Sequence, residues 1–500
     1  MVSFTKSILT SLALSCMATA LIPIELDGKR FIKPALSYKN PGEVFFVQGL
    51  DYQPGGSSGY SDDDTSDVLS NADACLRDAY VLQQLNVNTI RIYTINPAVN
   101  HDACMSIFNA AGIYVILDVN SPLSGQSLNR YDPGSSYNWW YLNRIFNIID
   151  AFKDYPNVIG FFSGNEIIND KKSAGLCPKY IRAVTRDMKE YIQNNADRQI
   201  PVGYSAADVL EYRYASWEYL QCNIDGDSDD MSKSDFYGLN SYEWCSGSSD
   251  WTSSGYDKVN STFVDTTIPI FFSEYGCNKE SPRTFDEVTD GVFTGLKNTL
   301  SGGLIYEYSK EANNYGIVEI DESSGSLTLS QEYENLQKQY SETDITDLSE
   351  TSVEEVKIST CNKTLIEDTN SDFDADFDLP DQPGGLENLI KYGANNTNIG
   401  KIIKLNSTET TYSIYDKDDN EITDKSIKVD DDNLINEQSD KPSSSTKTTS
   451  SATTSSTASS SITSSASSSS SRNGAVAPLL NKAAIDSVLL SFGIAIAALI

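Results

Sequence analysis

Two glutamates carry the chemistry that can be read most directly from this chain. Glu166 closes the mostly apolar run Val158-Ile159-Gly160-Phe161-Phe162-Ser163-Gly164-Asn165, and Glu274 closes Ile268-Pro269-Ile270-Phe271-Phe272-Ser273 ahead of Tyr275-Gly276. Each stands where a buried strand would deliver a side chain to a rim. One carboxyl group kept protonated and a second kept ionised is the equipment for breaking a glycosidic bond. The two need unlike surroundings to hold different protonation states. Arg91, in Thr89-Ile90-Arg91-Ile92-Tyr93, shares a face with Tyr93 through the two-residue period of a strand. With the hydroxyl of Tyr242 it gives Glu274 a polar, positively charged neighbourhood, while Glu166, beside Asn165, reads as the proton donor. Either glutamate alone reads equally well as the cap of a following helix; the pair reads as catalytic.

Such a pair must be held by strands that end on one side of the molecule. Short β-rich apolar runs recur at 44–48, 89–93, 114–119, 158–162, 201–204, 236–240, 269–273 and 304–308. Helix-like stretches fall between most of them, at 73–85, 141–153, 178–194 and 284–300. Runs that are apolar throughout, without alternation, suit strands covered on both faces of a parallel sheet. Eight βα units in residues 21–340 match the size of a (β/α)8 TIM barrel, an α/β fold whose catalytic groups project from the C-terminal ends of the strands. A doubly wound open sheet is the alternative, but no Gly-rich phosphate loop follows the first strand. On the barrel reading, Glu166 ends strand four and Glu274 strand seven.

The rest of the chain reads as delivery and attachment. Residues 1–20 carry Lys6, an apolar run from Ile8 to Met17 and an Ala18-Thr19-Ala20 exit, the layout of a secretory signal peptide. Residues 341–440 form a polar, acidic segment in which 401–429 suggests a few exposed strands, and 441–472 is a Ser/Thr-rich stalk suited to O-glycosylation. The last 28 residues, 473–500, place small residues, a spacer and a short apolar tail in the order of a glycolipid (GPI) anchor signal, with Asn473 as the attachment residue. Asn260, Asn362, Asn395 and Asn406 are N-glycosylation acceptors.

Composition removes several functions. A net charge of −33, from 37 basic and 70 acidic residues, is the wrong sign for a nucleic-acid partner. With no C-x-x-C pair and one histidine, His101, structural zinc has no ligand set, and a Ser-His-Asp or Cys-His site would rest on that residue alone. No metal, cofactor or protein partner is implied. Of the eight cysteines, Cys16 leaves with the signal, so seven remain and at least one is left over from disulfide pairing.

The motifs taken as a set narrow the reading. Gly49-Leu50-Asp51-Tyr52-Gln53-Pro54-Gly55-Gly56, Thr89-Ile90-Arg91-Ile92-Tyr93, Asn100-His101-Asp102, Ser163-Gly164-Asn165-Glu166, Phe272-Ser273-Glu274-Tyr275-Gly276-Cys277 and Gly303-Leu304-Ile305-Tyr306-Glu307-Tyr308 resemble the fungal β-1,3-glucanosyltransferases of glycoside hydrolase family 72, glycolipid-anchored cell-surface proteins. The resemblance covers about residues 24–340 and implies Glu166 as acid/base and Glu274 as nucleophile of a retaining transferase that cuts β-1,3-glucan internally and extends another glucan chain. It further implies Gln53, Tyr93, Asn120, Asn165, Tyr242 and Tyr306 around the donor sugars, and Asp208 and Arg213 facing the acceptor. Trp139 and Trp140, read as a loop after strand three, could stack on sugar or cap the barrel. The same resemblance implies disulfides Cys75–Cys104, Cys222–Cys361 and Cys245–Cys277, with Cys177 free. Some relatives add a Cys-rich carbohydrate-binding module, for which this chain has only Cys361, so it resembles the shorter branch. A plain β-glucan or β-mannan hydrolase and a non-catalytic surface adhesin are the competing readings.

Overall fold

The structure, a computed structural model, describes residues 21–34, 42–63, 66–348 and 359–430. The signal segment, the stalk, Asn473 and the anchor signal lie outside the described residues. Three short strands come first: β1 (Glu25–Asp27), β2 (Arg30–Lys33) and β3 (Glu43–Phe45), paired antiparallel in the order β1-β2-β3. Eight parallel strands follow and close on themselves. They are β4 (Val47–Asp51), β5 (Thr89–Ile92), β6 (Tyr114–Asp118), β7 (Val158–Asn165), β8 (Val202–Ala206), β9 (Phe236–Ser241), β10 (Ile270–Tyr275) and β11 (Gly302–Ile305). The helices Ala72–Gln84, Asp102–Ala110, Trp139–Phe152, Pro178–Asn195, Leu210–Gln221 and Tyr256–Phe263 cover the outside, joined by a π-helical Glu287–Gly295 and by Gln331–Ser341. This is the expected (β/α)8 barrel.

Two of the barrel's strand and helix stretches differ in kind from their expected form. The first barrel strand is not 44–48: Glu43–Phe45 pairs with β2, and the barrel strand begins at Val47. The apolar run there is continuous, so only its partners divide it. Gly49 shows why the barrel needs the later register, since a Cβ there would stand 2.1 Å from the Thr89 carbonyl oxygen of the neighbouring strand. The other difference is at 284–300, where Glu287–Gly295 adopts the wider π-helical turn.

Inside the barrel, Phe162, Phe236 and Phe271 pack edge to face and tilted at 5.2–6.1 Å, and Phe31 of β2 closes this cluster at 5.8–6.0 Å from Phe236 and Phe271. The N-terminal sheet thus seals the end of the barrel away from the strand C-termini, leaving the other end for chemistry. Aromatic side chains of this size each bury 150–250 Å² or so, which makes the plug a major part of the core.

The segment after the barrel runs against it. Disulfide Cys222–Cys361 begins the attachment. Ile366, Phe373, Ala375, Leu386 and Ile390 are buried, and Phe377 stacks on Tyr219 at 4.7 Å. Further on, Lys401 and Ile403 donate backbone N–H groups to Asp102 Oδ1 and Ser106 Oγ. Of the strands expected in 401–429, one is present among the described residues: β14 (Ile414–Tyr415), which joins β12 (Val318–Ile320) and β13 (Leu327–Leu329) in a small sheet. Asn362, Asn395 and Asn406 are exposed along this segment, whereas Asn260 is half-buried with its amide oxygen accepting from Thr299.

Candidate active site

Glu166 follows β7 and Glu274 lies within β10, so both carboxylates emerge at the C-terminal end of the barrel. Their surroundings differ sharply. Glu274 Oε1 accepts from Arg91 Nη1 at 3.1 Å and from the Tyr93 hydroxyl at 2.9 Å, and Oε2 accepts from the Tyr242 hydroxyl at 2.6 Å. Three donors on two oxygens, one of them cationic, suit a carboxylate that must act as an anion. Among the described residues Glu166 forms no ion pair; its Oε1 accepts from the Asn240 side-chain amide at 2.7 Å. Burial, and then the nearby Glu274 charge, push the Glu166 carboxyl up to about 7, so it carries a proton at mildly acidic pH.

Backbone geometry aims this acid. Glu166 has φ +50°, in the left-handed region that a residue with a Cβ rarely adopts, and its N–H donates to the Ser205 carbonyl at 2.9 Å. The strain turns the side chain out of the strand direction at the point where the chain leaves β7.

Arg91 is the hub beneath the pair. Fully buried, it bonds Asp118 through Nε at 3.2 Å and Nη2 at 2.9 Å, Asn165 Oδ1 at 3.0 Å, the Ser273 carbonyl at 3.1 Å and Glu274. Its guanidinium lies 4.6 Å from the ring of Phe162 and 4.3 Å from that of Tyr93, so the aromatic plug forms its floor. Burial raises Asp118 to about 6 and Asp51, also fully buried, well above the ordinary carboxyl range; Arg91 opposes both shifts.

The residues expected around the donor sugar divide into two groups. Tyr93, Tyr242 and Tyr306 gather at the carboxylates, with Tyr306 edge-on to both other rings at 6.5 and 6.1 Å. Asn165 is held by Arg91. Gln53 and Asn120 lie farther from the pair's hydrogen bonds and have partners of their own: Gln53 Oε1 accepts from the N–H groups of Tyr93 and Thr94, and Asn120 Oδ1 accepts from the Tyr141 hydroxyl at 2.7 Å. Asp208 and Arg213 stand on the same rim, paired with one another at 2.5 Å. Trp139 and Trp140 begin a helix and are not in a loop; Asn138 caps it, Trp139 packs against the core and Trp140 is 77 % exposed.

Asn240, Asp118, Asp51 and Glu243 were not singled out from the sequence. The available signal was the one that found the glutamates, a polar residue ending an apolar run, and it applies to Asp118 and Asn240 as well. The expected disulfides Cys75–Cys104, Cys222–Cys361 and Cys245–Cys277 are present, and Cys177 is a buried free thiol. His101 is buried between Asp67, 3.1 Å from Nε2, and the ring of Phe152. Among the described residues no group of three or more His, Cys, Asp or Glu side chains could hold a metal ion.

The family model of glycoside hydrolase family 72, described as glucanosyltransferase, matches residues 13–344. The chain belongs to this family. Among family 72 relatives, "Probable 1,3-beta-glucanosyltransferase GAS3" of Saccharomyces cerevisiae is 54 % identical over 86 % of this chain and 84 % of its own length. The 1,3-beta-glucanosyltransferase gel2 of Aspergillus fumigatus is 48 % identical over 82 % and 84 %. The crystal structure of Saccharomyces cerevisiae Gas2p in complex with laminaritriose and laminaritetraose is similar with a TM-score of 0.64 and 34 % identity, covering 73 % of this chain and 78 % of that one.

Proposed function

We propose that this chain is a retaining β-1,3-glucanosyltransferase that cuts β-1,3-glucan internally and joins the new reducing end to the non-reducing end of another β-1,3-glucan. The observation that carries the reading is the contrast between the two carboxyl groups: Glu274 receives three hydrogen bonds, one from a guanidinium, while Glu166 is raised to about 7 and meets a neutral amide.

The steps follow from that contrast. An oxygen of Glu274 attacks the anomeric carbon while the glycosidic oxygen leaves with the proton of Glu166, giving a glycosyl ester on Glu274. Glu166, now ionised, takes the proton of an acceptor hydroxyl, whose oxygen attacks the same carbon and frees Glu274. Two displacements preserve the anomeric configuration. Tyr93 and Tyr242 release hydrogen bonds as the nucleophile loses charge, and Arg91 stays on Asp118 throughout. Tyr306 and its neighbouring rings form the apolar wall for the sugar undergoing attack, with Asn165 at its side. Asp208 and Arg213 stand on the same rim, where their charged atoms engage one another and Glu243.

The chain works outside the cell on this reading, held at the outer leaflet of the plasma membrane by a glycolipid on Asn473 after loss of residues 474–500. Incubating the purified ectodomain with a laminari-oligosaccharide of defined length tests the activity. Mass spectrometry should find products longer than the substrate. Shorter products alone would make the protein a hydrolase, and none at all would leave a binding protein.

A further inference from the structure

At the end of β9 the chain leaves the sheet through Ser241, Tyr242 and Glu243, and Tyr242 carries the hydroxyl that lies 2.6 Å from Glu274 Oε2. That hydroxyl sits beyond the last ladder position, so something other than the sheet must hold it. Asp208 Oδ2 accepts the backbone N–H of Tyr242 at 2.9 Å. Arg213 Nη2 binds Asp208 Oδ1 at 2.5 Å, Glu243 Oε1 at 3.2 Å and the Asn240 carbonyl at 3.4 Å. Glu243 Oε2 in turn accepts from the Ser241 hydroxyl at 2.6 Å. Every residue from 240 to 243 is therefore tied to one guanidinium, directly or through a single intermediate.

We infer that Asp208, Arg213 and Glu243 form a clamp that positions Tyr242 on the nucleophile, and that Glu243 is a positioning residue of the reaction. Three features favour this over a surface ion pair. The side chains of Arg213, Asp208 and Glu243 are only 10 %, 21 % and 26 % exposed, which makes leaving any one of them unpaired costly. Two carboxyl groups crowd one nitrogen, and burial together with the Glu243 charge raises Asp208 to about 7 against the pull of Arg213. The groups this costly arrangement fixes are the backbone and flank of the residue that touches Glu274. The clamp also engages the charged atoms of Asp208 and Arg213 that would otherwise turn to an acceptor sugar.

The inference rests on Glu274 as nucleophile, which Glu274→Gln checks separately by abolishing turnover. The clamp itself is tested by a double-mutant cycle on the ectodomain with a laminari-oligosaccharide. Glu243→Gln should lower kcat for donor cleavage about tenfold with KM little changed, and transfer and hydrolysis should fall in the same proportion. Tyr242→Phe removes the hydroxyl through which the clamp acts. In that background Glu243→Gln should cost less than about twofold more, because effects passing through one group are not additive. Ser241→Ala, which removes one bond to Glu243 and no charge, should give a smaller loss of the same pattern if Glu243→Gln fails to fold. Multiplicative losses in the cycle would overturn the clamp. So would loss of transfer with hydrolysis maintained, which would return Asp208 and Arg213 to the acceptor.

Discussion

Asn240→Ala isolates the acid/base. The Asn240 amide donates to Glu166 Oε1 at 2.7 Å, and this bond is the largest influence lowering a carboxyl that burial and Glu274 raise to about 7. A hydrogen bond to a charged group contributes about 1.5–3 kcal/mol, and one pH unit corresponds to about 1.4 kcal/mol. Because part of the bond survives when Glu166 is protonated, the differential is nearer the lower figure, or about one unit. The sign follows from which form is stabilised. Removing the donor disfavours the carboxylate, so the Glu166 value rises further above its ordinary range. Glycosylation needs Glu166 protonated, and donor cleavage is lost as pH rises through that value. The wild-type profile of kcat/KM should therefore fall with a midpoint near pH 7, and Asn240→Ala should move that limb about one unit upward. The plateau should drop no more than about tenfold, since Glu166 becomes charged in the transition state without its donor. The assay is the initial rate of oligosaccharide consumption across pH 4–9, with thermal unfolding at each pH as a control for the Ser205 and Ser273 hydroxyls that now lack the Asn240 oxygen. A basic limb that stays in place, or moves down, would refute Glu166 as the titrating acid.

Arg91→Met should be worse than loss of a single contact. It leaves Asp118 and Glu274 buried without their cation, a defect of about 3–5 kcal/mol, and it should lower the unfolding temperature and reduce turnover at least about a hundredfold. Thiol labelling of the denatured, unreduced mature protein should modify Cys177 alone. In the native state that thiol should react slowly, being buried and raised to about 12 by that burial. Cys361→Ser opens a link spanning 139 residues and should cost about 2–5 kcal/mol in reversible denaturation. Limited proteolysis of that variant should cut first within 359–430, because the link is where this segment begins its course along the barrel.

The barrel and the two glutamates were legible in the sequence because the information is local. A strand buried on both faces must be apolar along its length, and a carboxyl group ending such a run has one place to go. Tyr93 on the face of Arg91 is fixed by the two-residue period alone. Partner choice is a different kind of information. Arg91 meets Asp118, Asn165 and Glu274 across separations of 27, 74 and 183 residues, and only barrel closure brings those strand ends together. Asn240 looked like any polar residue after an apolar run until barrel closure set the end of β9 across β8 from the exit of β7. Asp208 and Arg213 could be assigned to the rim from their place after β8, but that Asp208 holds the Tyr242 N–H while Arg213 joins Asp208 to Glu243 depends on how the segment after β8 approaches the end of β9. The acidic segment hid its role for a related reason. Its buried residues, such as Phe373, Leu386 and Ile390, are too sparse to announce a core, and each is buried only because barrel helices offer a slot for it. The split of the run at 43–51 into β3 and β4 was likewise settled in space, by the narrow gap at Gly49, where two backbones approach too closely for any side chain. Sequence determined which segments become strands and which residues reach the rim; tertiary structure decided which of those residues touch, because hydrogen bonds and ion pairs act over a few ångströms that the chain order does not encode.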